Sequence, residues 1–237
     1  MIRFFLLLPL TIIEIILFSG LTIIAIWSDK TGDNYYKVSK IWARFTLFCV
    51  NVKVKVIGLE NIQEGQNYIF LSNHQSFLDI PILTVSIPFM ARFIYRDSLH
   101  KVPFFGSSLK RSPHISINKE DIKKAMLSLE KAAFEIQNGK SVLIFPEGTR
   151  TSNGKISNFK RGGFQLAVKA TVPLIPVAIS GSFNSMPKGT WLIKPQKVCV
   201  IFGKPRIVKK DMTRAEEFEL MNTIKSDIED LIKLNLS

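Results

Sequence analysis

Cysteine is scarce in this chain, and so is negative charge. The two cysteines, Cys49 and Cys199, stand far apart, each in an apolar stretch. That excludes a disulfide scaffold and points to buried free thiols in a reducing compartment. Three histidines and two cysteines are too few to make a structural metal site the expectation. There is no internal repeat and no low-complexity tract. Nineteen acidic residues face 32 basic ones, a net charge of +13 and a sequence pI near 9.8. Such a balance calls for an anionic partner: nucleic acid, a membrane surface or an acidic carrier protein. Nucleic acid is the poorest fit, because the chain has no zinc-ligand spacing, no Arg/Gly-rich tail and no RNA-binding aromatic signature.

One long apolar run is present. Phe4 to Trp27 is interrupted only by Pro9 and Glu14 among its poorly tolerated residues. As a helix it extends about 36 Å, enough to cross a bilayer core. It is too long for a signal peptide and lacks a small-residue cleavage site. Glu14 in lipid costs on the order of a few kcal/mol. Two arrangements are therefore open. The segment spans, or Pro9 or Gly20 breaks it so that it dips in beside a second helix. Asp33 to Val50 is basic and rich in aromatics, which suits the headgroup boundary. Its mixed face also suits a cap on the soluble domain. Lys30, Lys37, Lys40 and Arg44 follow the apolar run, whereas only Arg3 precedes it. The positive-inside rule then puts the C-terminal part in the cytoplasm.

Beyond residue 50 the pattern alternates. Val52 to Ile57 reads as a half-exposed strand and Tyr68 to Leu71 as a buried one. Phe77 to Val85 reads as a helix, with Ser72 and Asn73 as candidate N-caps. Short strands are expected at Arg92–Tyr95 and His114–Ile117. Asn118 is expected to cap a helix whose apolar stripe is Ile122, Met126, Leu129, Ala133 and Ile136, ended by Gly139. Strand 141–145, helix 162–170 and strand 174–179 follow. Further strands are expected at Trp191–Ile193 and Lys197–Phe202, then a closing helix from Thr213 to Leu234. The pattern predicts an α/β fold: a mixed, mainly parallel central sheet flanked by helices, with an N-terminal hydrophobic helical membrane appendage. Residues 1–50 form that appendage and 51–237 the second domain.

Two motifs sit at strand ends, where sites on such sheets gather. The first is Asn73-His74-Gln75-Ser76-Phe77-Leu78-Asp79. Five residues along a continuous helix turn through about 500°, which parts the two side chains. At a turn, however, the Asp79 carboxylate can accept one ring N–H of His74 and leave the other nitrogen free to take a proton. The second is Phe145-Pro146-Glu147-Gly148-Thr149-Arg150, after the apolar run Ser141–Ile144.

Together these motifs resemble the glycerolipid acyltransferase superfamily, and most closely its 1-acylglycerol-3-phosphate (lysophosphatidic acid) acyltransferases. Two further blocks are similar. Arg96-Asp97-Ser98-Leu99, Pro103-Phe104-Phe105-Gly106 and Ile117-Asn118-Lys119 match a middle motif, and Val172 to Ile179 a last one. The resemblance covers roughly Val52 to Phe202. Two positions depart from it: Arg96 stands where the family often has Lys, and Lys119 where it has Arg. Both keep the charge but not the donor geometry.

The resemblance implies acyl transfer from a thioester, acyl-CoA or acyl carrier protein, to the sn-2 hydroxyl of a lysophospholipid. A thioester is already activated, so no metal or covalent cofactor is expected. His74 is the expected base and Asp79 its orienter. Arg150 is the expected phosphate ligand, because a guanidinium can grip two phosphate oxygens. Gly148 and Thr149 complete its loop. Glu147 is expected to hold Arg150 or to bind a glycerol hydroxyl. Lys160 and Arg161 are secondary phosphate candidates. Phe77, Pro103, Phe104, Phe105 and Leu109 are expected along an acyl channel. Backbone N–H groups near Gly106 or the Asn73 turn are the expected oxyanion donors. Pro173 and Pro176 are backbone fixtures, and His100 and His114 structural. Two other readings differ in kind. One is a sister acyltransferase acting on another lysolipid or on glycerol-3-phosphate. The other is a non-catalytic, basic membrane-surface protein.

Overall fold

The apolar N-terminal run forms one helix in the computed structural model, α1 (Ile2–Ser28), which Pro9 and Gly20 leave unbroken. The structure describes residues 2–29, 31–118, 121–190 and 192–236, without the side chains of 2–8, 122 and 236. Helix α2 (Asp33–Val50) returns alongside α1. The carboxylate of Glu14 is buried between them and accepts the Thr46 hydroxyl. A hydrogen-bonded partner thus offsets the cost of a carboxyl group in an apolar setting. One face of α2, with Tyr35, Ala43, Leu47 and Val50, is buried, and α2 packs against α3 (Asp79–Ser86). Its other face leaves Ile41, Phe45 and Phe48 exposed. The second helix is therefore both the soluble cap and the candidate headgroup element.

Seven strands form one sheet: β1 (Val52–Ile57), β2 (Ile69–Ser72), β3 (Ala91–Arg96), β4 (Ile115–Ile117), β5 (Ser141–Ile144), β6 (Leu174–Ser180) and β7 (Gln196–Phe202). Their spatial order is β1-β7-β6-β2-β5-β3-β4. Every neighbouring pair is parallel except β6 with β7. The remaining helices are α4 (Phe105–Arg111), α5 (Ile122–Gln137), α6 (Gly162–Ala170), α7 (Ser182–Ser185) and α8 (Arg214–Leu236).

The central strands are buried on both faces, as parallel strands between helices must be. Ile69, Leu71, Val142, Ile144, Leu174 and Ala178 pack with α5, α6 and α8. Their alternates Phe70, Leu143, Ile175, Val177 and Ile179 pack with α2 and α3. Pro176 lies inside β6, where it can donate no ladder hydrogen bond. A bulge accommodates it: from the Leu174–Arg206 bridge to the Val177–Phe202 pair, the β7 side carries one extra residue. Pro173 places its carbonyl on the Ile69 N–H, a backbone role as expected.

Three local expectations need correction. The cap of α5 is Asp121, whose side chain accepts Lys124 N–H, while Asn118 instead accepts Asp121 N–H. Leu192 and Ile193 form no strand, and Trp191 lies outside the described residues. Neither Ser72 nor Asn73 caps α3, which begins only at Asp79, with Leu78 before it.

Candidate active site

That late helix start is what brings His74 and Asp79 together. After β2 the chain turns, and Asn73 pins the turn to β6: its amide donates to the Ile179 carbonyl and accepts the Ile179 N–H. Asp79 is fully buried at the first residue of α3. Its Oδ2 accepts the N–H groups of Gln75 at 2.6 Å and Ser76 at 2.8 Å, and faces His74 Nδ1 at 2.8 Å. A carboxylate only accepts, so Nδ1 carries the proton and Nε2 keeps its lone pair. The imidazole also stacks on Phe145, with ring centres 4.0 Å apart and planes 16° from parallel. Phe145 was expected only as the last residue of a strand. Nothing in the sequence marks it as the wall that sets the ring plane.

The second motif binds the first through backbone. Glu147 is buried; its Oε1 accepts His74 N–H at 2.8 Å and its Oε2 accepts Ser157 N–H at 2.7 Å. Thr151 N–H donates to the His74 carbonyl. Glu147 therefore does not hold Arg150, and it is not open to a glycerol hydroxyl. It is a clamp on the His74 turn. Gly148 has φ +68°, the left-handed turn that lets the chain double back here.

Arg150 lies flat on Phe77, its guanidinium carbon 3.5 Å from the ring centre. Its Nη1, like Asp79 Oδ1, is buried and has no hydrogen-bond partner among the described residues. Burial pulls its pKa down and the Asp79 charge pushes it back up. An arginine remains charged throughout. A buried, unsatisfied cationic donor is costly, and the Asp79 charge offsets part of that cost.

Two cations stand on this loop beside Arg150. Arg96, at the end of β3, donates to the Gly148 carbonyl at 2.8 Å. Lys188, from the loop after α7, donates to the Thr149 hydroxyl at 3.2 Å. Sequence reasoning passed over Lys188, because the fold alone brings residue 188 to the 149 turn. Arg161 is not in this group: its Nε pairs with Glu217 of α8 at 2.7 Å. Lys160 is exposed, with its N–H on the Pro146 carbonyl. Lys119 lies outside the described residues.

An apolar cavity of about 180 Å³ starts beside Asp79, at Ile80, and lies between α1, α2, α3, β3 and α4. Phe105 and Leu109 line it, together with Phe18, Trp42, Leu83 and Phe93. Phe77, Pro103 and Phe104 do not: all three are exposed, and Phe77 serves Arg150 instead. Gly106 N–H is spent on the Val102 carbonyl, and those of His74, Gln75 and Ser76 on Glu147 and Asp79. None of these groups is free to serve an oxyanion. His100 meets Tyr95 and His114 accepts Phe93 N–H, both structural as expected.

Residues 53–180 match the profile of the acyltransferase family. The chain belongs to that family. It is similar to a 1-acyl-sn-glycerol-3-phosphate acyltransferase from Pseudomonas aeruginosa, 34% identical over 77% of this chain and 75% of that protein. A chloroplastic protein of the same name from Brassica napus is 27% identical over 90% of this chain. The chain spans 63% of that relative's length and 53% of the similarly named Chlamydomonas reinhardtii protein. Its fold matches the crystal structure of the 1-acyl-sn-glycerophosphate acyltransferase PlsC from Thermotoga maritima. That match has a TM-score of 0.79 and 26% identity, covering 97% of this chain and 93% of the other.

Proposed function

We propose that this acyltransferase moves a fatty acyl group from an acyl thioester to the sn-2 hydroxyl of lysophosphatidic acid, making phosphatidic acid. The relatives' names support that acceptor. The observation that carries the reading is the pairing of an open His74 Nε2 with the orphaned Arg150 Nη1. The two groups lie on turns that share the Thr151–His74 hydrogen bond. One group can take a proton while the other takes a phosphate oxygen.

In the reaction, Nε2 removes the hydroxyl proton as the oxygen attacks the thioester carbonyl. The tetrahedral intermediate collapses, the C–S bond breaks, and the imidazolium returns its proton to the departing thiolate. Asp79 stabilises the imidazolium between the two steps. Arg150 and Lys188 hold the acceptor phosphate. The apolar cavity beyond Ile80 takes the acyl chain.

The setting belongs to the same reading. Pro9–Ser28 is long and apolar enough to cross a membrane, and its outward Ile13, Ile24 and Trp27 are exposed. The basic surface suits anionic lipid or an acidic acyl carrier protein as well as acyl-CoA. The basic flank after α1 supports a cytoplasmic catalytic domain under the positive-inside rule.

The test is product analysis. The purified protein receives a labelled acyl thioester and lysophosphatidic acid, and a phospholipase specific for sn-2 esters then digests the product. Release of the label supports the reading, with acyl-CoA and acyl carrier protein compared as donors. Label left on the lysolipid backbone, or product formed equally well from non-phosphorylated acceptors, contradicts it.

A further inference from the structure

Between β3 and α4 the chain displays apolar side chains to solvent instead of burying them. Leu99, Val102 and Phe104 are all exposed, Phe104 by 58%. Phe104 is held at φ 60°, ψ −59°, a conformation that a bulky residue seldom adopts. It is the centre of a tight turn closed by Phe105 N–H on the Pro103 carbonyl at 2.6 Å. Gly106 packs so closely on the preceding turn that a Cβ there would meet the His100 carbonyl oxygen at 2.3 Å. Three exposed cations border the segment: Lys101, Lys110 and Arg111.

The segment is also continuous with α1. Helix α4 packs on α1, with Thr22 and Ser108 sharing a hydrogen bond at 2.6 Å. Leu99 lines the same cavity as Phe18 and Thr22 of α1. Leu99 therefore joins the exposed apolar segment to the cavity, beside a helix of membrane-crossing composition.

We propose that Leu99, Val102 and Phe104 form a wedge that enters the bilayer leaflet beside α1. Lys101, Lys110 and Arg111 meet anionic headgroups around it. The occupant is lipid because apolar tips ringed by cations match the acyl and headgroup layers of an anionic leaflet. A wedge there sets the cavity wall against the hydrocarbon layer, so an acyl chain can pass between them without crossing water. This inference rests on the membrane reading above.

The test uses the full chain carrying Cys49→Ser and Cys199→Ala, with single cysteines labelled by an environment-sensitive fluorophore. The labelled positions are Phe104→Cys, Ile24→Cys on α1, and Phe218→Cys, an exposed apolar site on α8. Vesicles of phosphatidylcholine with and without phosphatidylglycerol carry brominated acyl chains as quencher. The wedge predicts blue-shifted, quenched emission at 104 and 24 but not at 218. It also predicts stronger quenching at 104 with phosphatidylglycerol, lost in Lys101→Ala/Lys110→Ala/Arg111→Ala. Quenching at 24 without quenching at 104 overturns the wedge and leaves the membrane reading standing. No quenching at either site overturns both. A blue shift at 104 that needs only high protein concentration assigns the patch to a second copy of the chain, and overturns the lipid assignment.

Discussion

The backbone N–H of His74 donates to Glu147 Oε1 at 2.8 Å, so the acid of the second motif holds the histidine of the first in place. The other Glu147 oxygen accepts Ser157 N–H at 2.7 Å. The two motifs work as one object whose halves are far apart in sequence.

Glu147→Gln keeps the shape but turns an NH₂ toward one of two backbone donors. A buried donor left unmade costs about 1–3 kcal/mol. Turnover is expected to fall at least about tenfold while the lysolipid KM changes little, because the damage lies in base placement. Steady-state kinetics decide. A loss confined to KM would make Glu147 a substrate ligand.

Arg150→Ala removes the orphaned guanidinium. A hydrogen bond to a charged group contributes about 1.5–3 kcal/mol, so KM for lysophosphatidic acid is expected to rise roughly tenfold to a hundredfold. Lys188→Ala, with a more exposed cation, is expected to raise it less. Use of monoacylglycerol, which has no phosphate, should hardly change in either variant. Equal losses with both acceptors would remove the phosphate role.

Much of this was legible from the chain, and the limits have physical causes. Parallel central strands must be apolar on both faces, so Tyr68–Leu71, 141–145 and 174–179 stood out as strands. The His74–Asp79 pair could be read because only a turn lets that spacing work. The role of Glu147 could not, since its partners are backbone N–H groups that every residue but proline carries. Arg161 was expected near the phosphate and Lys188 was not, and the sequence misled for a similar reason. Glu217, on α8, claims Arg161, and the loop after α7 delivers Lys188. Phe77 and Phe104 looked like channel lining because composition does not say which face an aromatic takes.

His114 links stability to pH. It lies edge-on to Tyr35 and Phe93 and accepts Phe93 N–H. Burial first, and the Arg92 charge second, push its pKa from 6.5 down to about 4. Folding thus favours the neutral ring. Its contribution is complete above about pH 6.5 and is lost as pH falls toward 4. His114→Gln should flatten the fall in Tm across that window. An unchanged acid slope would assign the transition to other groups.

Gly106→Ala tests the packing of α4. The added Cβ meets the His100 carbonyl carbon and oxygen at 2.6 and 2.3 Å, and both are backbone atoms that cannot swing away. The expected outcome is a lower Tm, with early protease cleavage between Asp97 and Arg111. A variant as stable and as resistant as wild type would show that this turn is not rigid.

The most direct measurement is thiol release from an acyl thioester in detergent with lysophosphatidic acid, comparing wild type with His74→Ala of matched Tm. With His74 as the base, turnover drops by roughly 10² to 10⁴. Wild-type turnover in the folded variant would contradict the account at its centre.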